Sequence, residues 1–268
     1  MTPLASRVLT AMLLLAVFVP AVLWAPAWLW ALLMAGVVGA AAFEWARLSH
    51  FLPLSARAYA ALLALGALAL PYGLAADWPA IQTALIFLAI VFWLLVVPLW
   101  LLGKWHAEHV FMRAAVGVVV LLPTWAALVY LHGRGPSVLL GVMAVVWIAD
   151  TAAYFSGRQF GRHKLAPAIS PGKTWEGVAG ALAALALYAG ILSLLAGMPL
   201  LSLLLMVTAL LYVSVLGDLF ESWIKRVSGM KDSGRILPGH GGVLDRIDAL
   251  TSTLPVATGL RMWLERSV

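Results

Sequence analysis

Long apolar runs, broken only by short polar segments, dominate this chain, and they admit few kinds of fold. Backbone N–H and C=O groups placed in lipid must be satisfied internally, so runs of about 20 apolar residues become membrane-spanning helices. Of the 268 residues, 64% are hydrophobic and 10% charged, whereas a soluble domain carries about 45–50% and about 25%. Nine spans of roughly 20 residues would use about 180 positions. A cytosolic dinucleotide-binding domain, a DNA-binding module and a disordered tail are thereby excluded. The expectation is an all-α polytopic integral membrane protein with about nine transmembrane helices and two cytoplasmic polar loops.

The runs between clusters of charge place the spans at roughly 8–25, 27–45, 58–76, 80–102, 111–131, 138–157, 175–197, 199–224 and 248–265. Residues 1–135 then form an N-terminal region of about five spans, and 136–268 a C-terminal region of about four. The first run continues from Arg7 through Trp24 without a small-residue cleavage site, so it reads as a span and not as a removed signal. Pro20, Pro71, Pro98, Pro123 and Pro255 fall inside spans and predict kinks, not breaks. Small-residue runs at 36–42 and 177–186 predict helix-packing faces. The chain has no cysteine, so disulfides and thiolate metal sites are excluded while the redox compartment stays open.

The 17 Lys and Arg against 11 Asp and Glu give a net charge of +6, which in this context points to loops and lipid headgroups and not to nucleic acid. With the N-terminus inside and nine spans, 14 of the basic residues lie on the inner side, and only Arg134, Arg261 and Arg266 lie outside. Short cytoplasmic loops collect Lys and Arg, so both long polar loops, 158–174 and 225–247, are expected to face the cytoplasm.

The densest polar stretch runs from Gly217 to Asp248, GDLFESWIKRVSGMKDSGRILPGHGGVLDRID. Asp218, Glu221, Ser222 and Lys225 are spaced to share one face of the eighth span, and Asp245 and Asp248 share a face at the start of the ninth. Acidic pairs on two helices at one membrane depth can hold divalent cations through oxygen. Between them lie Lys225, Arg226, Lys231, Arg235 and Arg246, punctuated by Gly229, Gly234, Gly239, Gly241 and Gly242. Carboxylates for Mg²⁺ plus cations for phosphate oxygens form the inventory of a phosphoryl or nucleotidyl transferase. The bland alternative is a basic juxtamembrane loop on anionic lipid, which has no need of the intramembrane Asp218.

A second cluster, WIADTAAYFSGRQFGRHKLAPAISPGKTWEG, precedes the seventh span. Asp150, Tyr154 and Gly157 share a face of the sixth helix; Asp150 is a functional candidate, or else a structural partner of a basic residue. PGKT does not make a P-loop, because Pro167 stands where glycine is required and no strand is expected before it. Ser170 or Thr174 is expected to cap the seventh helix, Glu176 to sit in its first turn, and Lys173 to reach a phosphate. His106, His109, His132 and His163 read as isolated interfacial or loop residues, while His240 stands among glycines. The tryptophans read as interface anchors or packing residues, and Glu44 as snorkelling or paired with Arg47.

The stretch from Ser222 to Asp248 resembles the signature of the CDP-diacylglycerol synthases, or phosphatidate cytidylyltransferases. The matching positions are Ser222, Lys225-Arg226, Lys231-Asp232, Gly234, Leu237-Pro238, His240-Gly241-Gly242, Asp245-Arg246 and Asp248. SPGKTWEG and the run from Asp150 to Gly157 are also similar to family text, whereas roughly the first 130 residues match only in hydropathy. The resemblance implies the conversion of CTP and phosphatidic acid to CDP-diacylglycerol and pyrophosphate in phospholipid biosynthesis, with Mg²⁺, alone or with a second cation. It implies metal ligation by Asp218, Asp245 and Asp248, and phosphate clamping by Lys225, Arg226, Lys231 and Arg246. Asp150, Ser170, Lys173, Ser222, His240, Gly241 and Gly242 would complete the substrate site. A homodimer in the cell (inner) membrane is implied as well.

Two competing readings remain at this stage. A CDP-alcohol phosphotransferase also uses membrane-embedded aspartates, but it spaces the later ones four apart where Asp245 and Asp248 are three apart. A secondary transporter could use Asp150 and Asp218 as a relay, but has no need of a glycine-punctuated basic loop.

Overall fold

The computed structural model describes residues 3–107, 109–237, 239 and 241–266. The described helices are α1 (Pro3–Trp24), α2 (Ala27–Leu48), α3 (Pro53–Gly73), α4 (Trp78–Gly103), α5 (Val110–Gly133), α6 (Pro136–Phe160), α7 (Trp175–Ala196), α8 (Leu200–Val227) and α9 (Leu244–Arg266). Between α6 and α7 lies a small antiparallel hairpin, β1 (Lys164–Ala166) and β2 (Ser170–Thr174), with Lys164 opposite Thr174 and Ala166 opposite Ser170.

Among the described residues seven helices, α2 to α8, are long and apolar enough to cross a membrane. Within α1 the described apolar stretch is Leu15–Trp24, and α9 is less apolar than the seven. In α9 the reason is position: Thr251, Ser252, Thr253 and Thr258 are buried, because the helix packs against α4, α5, α6 and α8. A helix walled by protein has no need to be apolar all round.

Each proline expected inside a span lies inside a helix. In α4 a π-turn at Phe92–Val96 comes just before Pro98, widening the helix where the proline cannot donate to Leu94.

Indole–carbonyl bonds knit the N-terminal half. Trp30 Nε1 donates to the Leu128 carbonyl at 3.0 Å and Trp125 Nε1 to that of Ala31 at 3.1 Å, pairing α2 with α5. Interhelical bonds in membranes are worth about 0.6 kcal/mol on average, so much of the cohesion comes from packing. The fully buried Trp30, Trp93 and Trp125 thus belong to the core and are not interface anchors.

Small residues set the close approaches, as expected. Gly39 faces Ala64 of α3, and Gly177 and Gly180 lie against Ala153 and Ser156 of α6. Gly217 is the approach that matters most for the site, since a Cβ there would meet the Asp248 carbonyl at 2.8 Å. Its lack of a side chain lets α8 and α9 bring their acidic turns together.

Contacts between helix ends fix which ends share a side. Tyr130 and Arg134, closing α5, meet Glu265 at the end of α9 at 2.7 Å each. At the other end, Trp223 Nε1 of α8 donates to the Trp105 carbonyl after α4, and Tyr59 of α3 to the Ala114 carbonyl of α5.

Candidate active site

The last three turns of α8 carry the stripe expected from the spacing, and the structure divides its partners between two neighbours. Asp218 faces the hairpin, where Lys173 Nζ lies 2.5 Å from its Oδ2, and it accepts from Ser222 Oγ at 3.3 Å. One turn on, Lys225 Nζ bridges Glu221 Oε2 at 3.0 Å and Asp245 Oδ1 of α9 at 2.8 Å. All three side chains of this bridge are largely buried, which favours pairing over solvation.

Asp245 also organises the loop before α9. Its oxygens accept from the Ser233 N–H at 3.0 and 3.2 Å and from the Gly242 N–H at 2.9 Å. The chain can turn this sharply because Gly239 and Gly241 adopt positive φ, 75° and 85°, and Leu237 N–H closes the turn onto the Gly241 carbonyl at 3.0 Å. Gly241 and Gly242 therefore shape the loop. Lys231, Arg235 and Arg246 occupy exposed positions. His240, expected to bind substrate, lies outside the described residues.

The two polar loops meet. Besides Lys173 and Asp218, Arg226 Nε donates to the Ile169 carbonyl in the hairpin turn at 3.3 Å. At this junction a cavity of about 470 Å³ opens between α6, the hairpin, α7 and α8. Its polar rim includes Asp150, Tyr154, Arg158, Ser170, Lys173 and Asp218, and its walls include Ala149, Val178, Leu211 and Val215. Such a volume suits a small-molecule ligand. Its lining combines charged groups with apolar walls, as an amphiphilic ligand requires.

Several expectations are corrected here. A strand, β1, does precede PGKT; three polar-flanked residues give no apolar alternation by which to foresee it. The P-loop reading still fails, since Gly172 and Lys173 lie within β2 and Pro167 stands where glycine is required. The expected cap of α7 is present: of the two candidates it is Thr174, which accepts from the Gly177 N–H at 3.1 Å, while Ser170 begins β2. His163 is not isolated, because its Nδ1 lies 2.6 Å from Glu176. His132 stacks on Trp30 at 4.6 Å and His106 meets Trp223 edge-on. Glu44 neither snorkels nor needs Arg47: it is fully buried and bonds to the loop before α9.

The acids expected to hold a metal are brought close but are not equivalent. Among the described residues no three acidic or histidine side chains converge as an ion-holding group. Asp245 has its oxygens occupied by Lys225 and backbone N–H groups. Asp248 lies within electrostatic reach of Asp218 and beside Glu221, whose Oε1 is buried without a hydrogen-bond partner. Neighbouring buried carboxylates repel unless a proton or a cation joins them. The all-oxygen donor set fits a hard divalent cation.

The model of a family described as the cytidylyltransferase family matches residues 5–263. The chain is 42% identical to a phosphatidate cytidylyltransferase of Pseudomonas aeruginosa over 97% of both chains. It is 49% identical to one of Haemophilus influenzae over 46% of this chain and 44% of that protein, and 53% identical to one of Brucella suis over 44% of each. A match reaching from α1 to α9 covers the N-terminal helices as well as the charged loops, and on that evidence the chain belongs to the cytidylyltransferase family.

Proposed function

We propose that this chain is a membrane nucleotidyltransferase that converts CTP and phosphatidate to CDP-diacylglycerol and pyrophosphate. The observation that carries the reading is the junction of the two polar loops at the rim of an apolar-walled cavity. Family membership favours it over a CDP-alcohol phosphotransferase or a transporter. A phosphate oxygen of phosphatidate attacks the α-phosphorus of CTP, and the bond to the bridging oxygen of the leaving pyrophosphate breaks. The nucleophile is already anionic, so catalysis rests on positioning and charge neutralisation more than on a general base.

In this reading Lys173 and Arg226, at the junction, and Lys225, at its bridge with Asp245, meet phosphate oxygens, with Lys231 and Arg246 on the exposed approach. Ser170 and Ser222 offer hydroxyls, and Asp150 adds a carboxylate to the polar rim of the cavity. The acyl chains occupy the side where α6, α7 and α8 present Ala149, Val178 and Leu211. Asp218 and Asp248, within electrostatic reach of one another, would hold Mg²⁺. The cation supplies charge neutralisation at the α-phosphate and the leaving group. Asp245 is assigned to holding the loop and Lys225.

Lys173→Ala tests whether the hairpin belongs to this site. Losing a charge-assisted contact costs about 1.5–3 kcal/mol, or on the order of 10- to 100-fold in catalytic efficiency. Titration of CTP, phosphatidate and Mg²⁺ in mixed micelles should show weakened substrate saturation with little change in Mg²⁺ dependence. A shift in the Mg²⁺ curve alone, or in none of the three, would detach the hairpin from the site.

We further propose nine alternating spans, with the N-terminus and both polar loops cytoplasmic in the cell membrane. Support comes from the basic residues and from helix ends that pair as alternation requires, Tyr130 with Glu265 at one side and Trp223 with Trp105 at the other. Single cysteines placed in 158–174 and 225–247 should be protected from an impermeant thiol reagent in intact cells, while one near the C-terminus is labelled. Labelling of either loop from outside would reverse the orientation. The homodimer implied by the resemblance stays part of the proposal.

A further inference from the structure

The one acidic residue of α2 lies far in sequence from the charged loops, yet it is bonded to them. Glu44 has no exposed surface. Its Oε2 accepts from Ser233 Oγ at 3.0 Å and from the Leu244 N–H at 2.8 Å, and its Oε1 accepts from the Val243 N–H at 3.1 Å. Leu244 begins α9 and Val243 precedes it, so the carboxylate meets N–H groups that have no partner within the helix, at its positive end.

The fit is tight on both sides of the loop. An added Cβ at Gly234 or at Gly242 would overlap the Glu44 carboxylate. The two segments that Glu44 grips, Ser233 and Gly242–Leu244, are also those that Asp245 ties together through the Ser233 and Gly242 N–H groups. Lys225 closes the arrangement onto α8 through Asp245.

We infer that Glu44 is a positioning residue: it anchors the loop before α9 to α2, and thereby fixes Asp245, which in turn holds Lys225 for phosphate binding. This rests on the function proposed above. A carboxylate is required because all three partners donate, and it only accepts. With glutamine, either orientation of the amide turns an N–H₂ group towards a backbone N–H of Val243 or Leu244. Aspartate keeps the charge but falls one methylene short. α2 therefore serves the site without lining the cavity.

The test uses the full-length protein in mixed micelles, comparing wild type, Glu44→Gln and Glu44→Asp by CTP kinetics and by hydrogen exchange. Glu44→Gln should lower kcat/KM for CTP by on the order of 10- to 100-fold. Exchange at residues 241–244 should rise while that of α5 and α6 stays unchanged, and Glu44→Asp should fall between. A structural role alone would instead raise exchange throughout the bundle and leave the kinetics per folded molecule intact; that outcome, or unchanged kinetics and exchange, overturns the inference. If Glu44→Gln does not fold, Ser233→Ala removes a single donor and should shift both readouts in the same direction by a smaller factor; no shift counts against the inference. Absence of turnover in the wild type would defeat the proposed function, and the exchange comparison would then still decide whether Glu44 anchors the loop.

Discussion

Asp218→Asn should reduce turnover by on the order of 10²–10³-fold, the loss expected when about 3–4 kcal/mol of transition-state charge stabilisation is removed. Asp218 stands between two functions: Lys173 of the hairpin lies at its Oδ2, and Asp248 of α9 lies within its electrostatic reach. The amide keeps the shape and the Ser222 contact while losing the charge that pairs with Lys173 and with a cation. The residue is only partly buried, so the variant should insert and fold. Melting behaviour and detergent-solubilised yield close to wild type, alongside lost activity, are the expected pair of results. Near-normal Mg²⁺-dependent turnover would remove Asp218 from the chemistry.

Asp245→Asn should cost as much activity by a different route. Its carboxylate balances Lys225 within a largely buried bridge and accepts from two backbone N–H groups. Without that charge Lys225 keeps only Glu221, and the charge-assisted bonds from Lys225 and the backbone N–H groups are weakened, each worth about 1.5–3 kcal/mol. An asparagine must also turn its N–H₂ towards Lys225 or a backbone donor. The loop before α9 should loosen, seen as faster proteolysis within 231–243, and raising Mg²⁺ should not restore turnover. Asp248→Ala supplies the contrast, since its defect should appear as a raised Mg²⁺ requirement. Recovery of Asp245→Asn at high Mg²⁺ would instead make Asp245 a metal ligand, as the family resemblance implies.

Helices were legible wherever apolar character and span coincided. The expected run 138–157 lies inside α6, and 199–224 overlaps α8 from its first residue, with Pro199 as the N-cap. The third span, expected at 58–76, begins earlier at Pro53, because a proline at the first helical turn and Arg57 extend the helix beyond its apolar stretch. The stripe on α8 could be read from spacing alone, because helical periodicity fixes which residues share a face.

Pairings across the chain could not be read in this way. Lys173 with Asp218, and Glu44 with Leu244, depend on how helices pack, and no local pattern encodes that. Glu44 did carry a signal, an acid inside an apolar run, which marks a functional candidate by default. Arg47 one turn away offered a nearer partner and masked it. The hairpin was hidden for a related reason, since strands of three and five residues bury too little apolar surface to show alternation.

One measurement bears on the central claim most directly. Purified wild-type protein and Asp218→Asn, in micelles containing phosphatidate, are given CTP labelled in the α-phosphate, and lipid-linked label and pyrophosphate are counted together. The account predicts that wild type forms CDP-diacylglycerol and pyrophosphate one for one, only when Mg²⁺ and phosphatidate are both present, and that Asp218→Asn forms neither above about 1% of that rate. Pyrophosphate release without labelled lipid, or no product from folded wild-type protein, would contradict it.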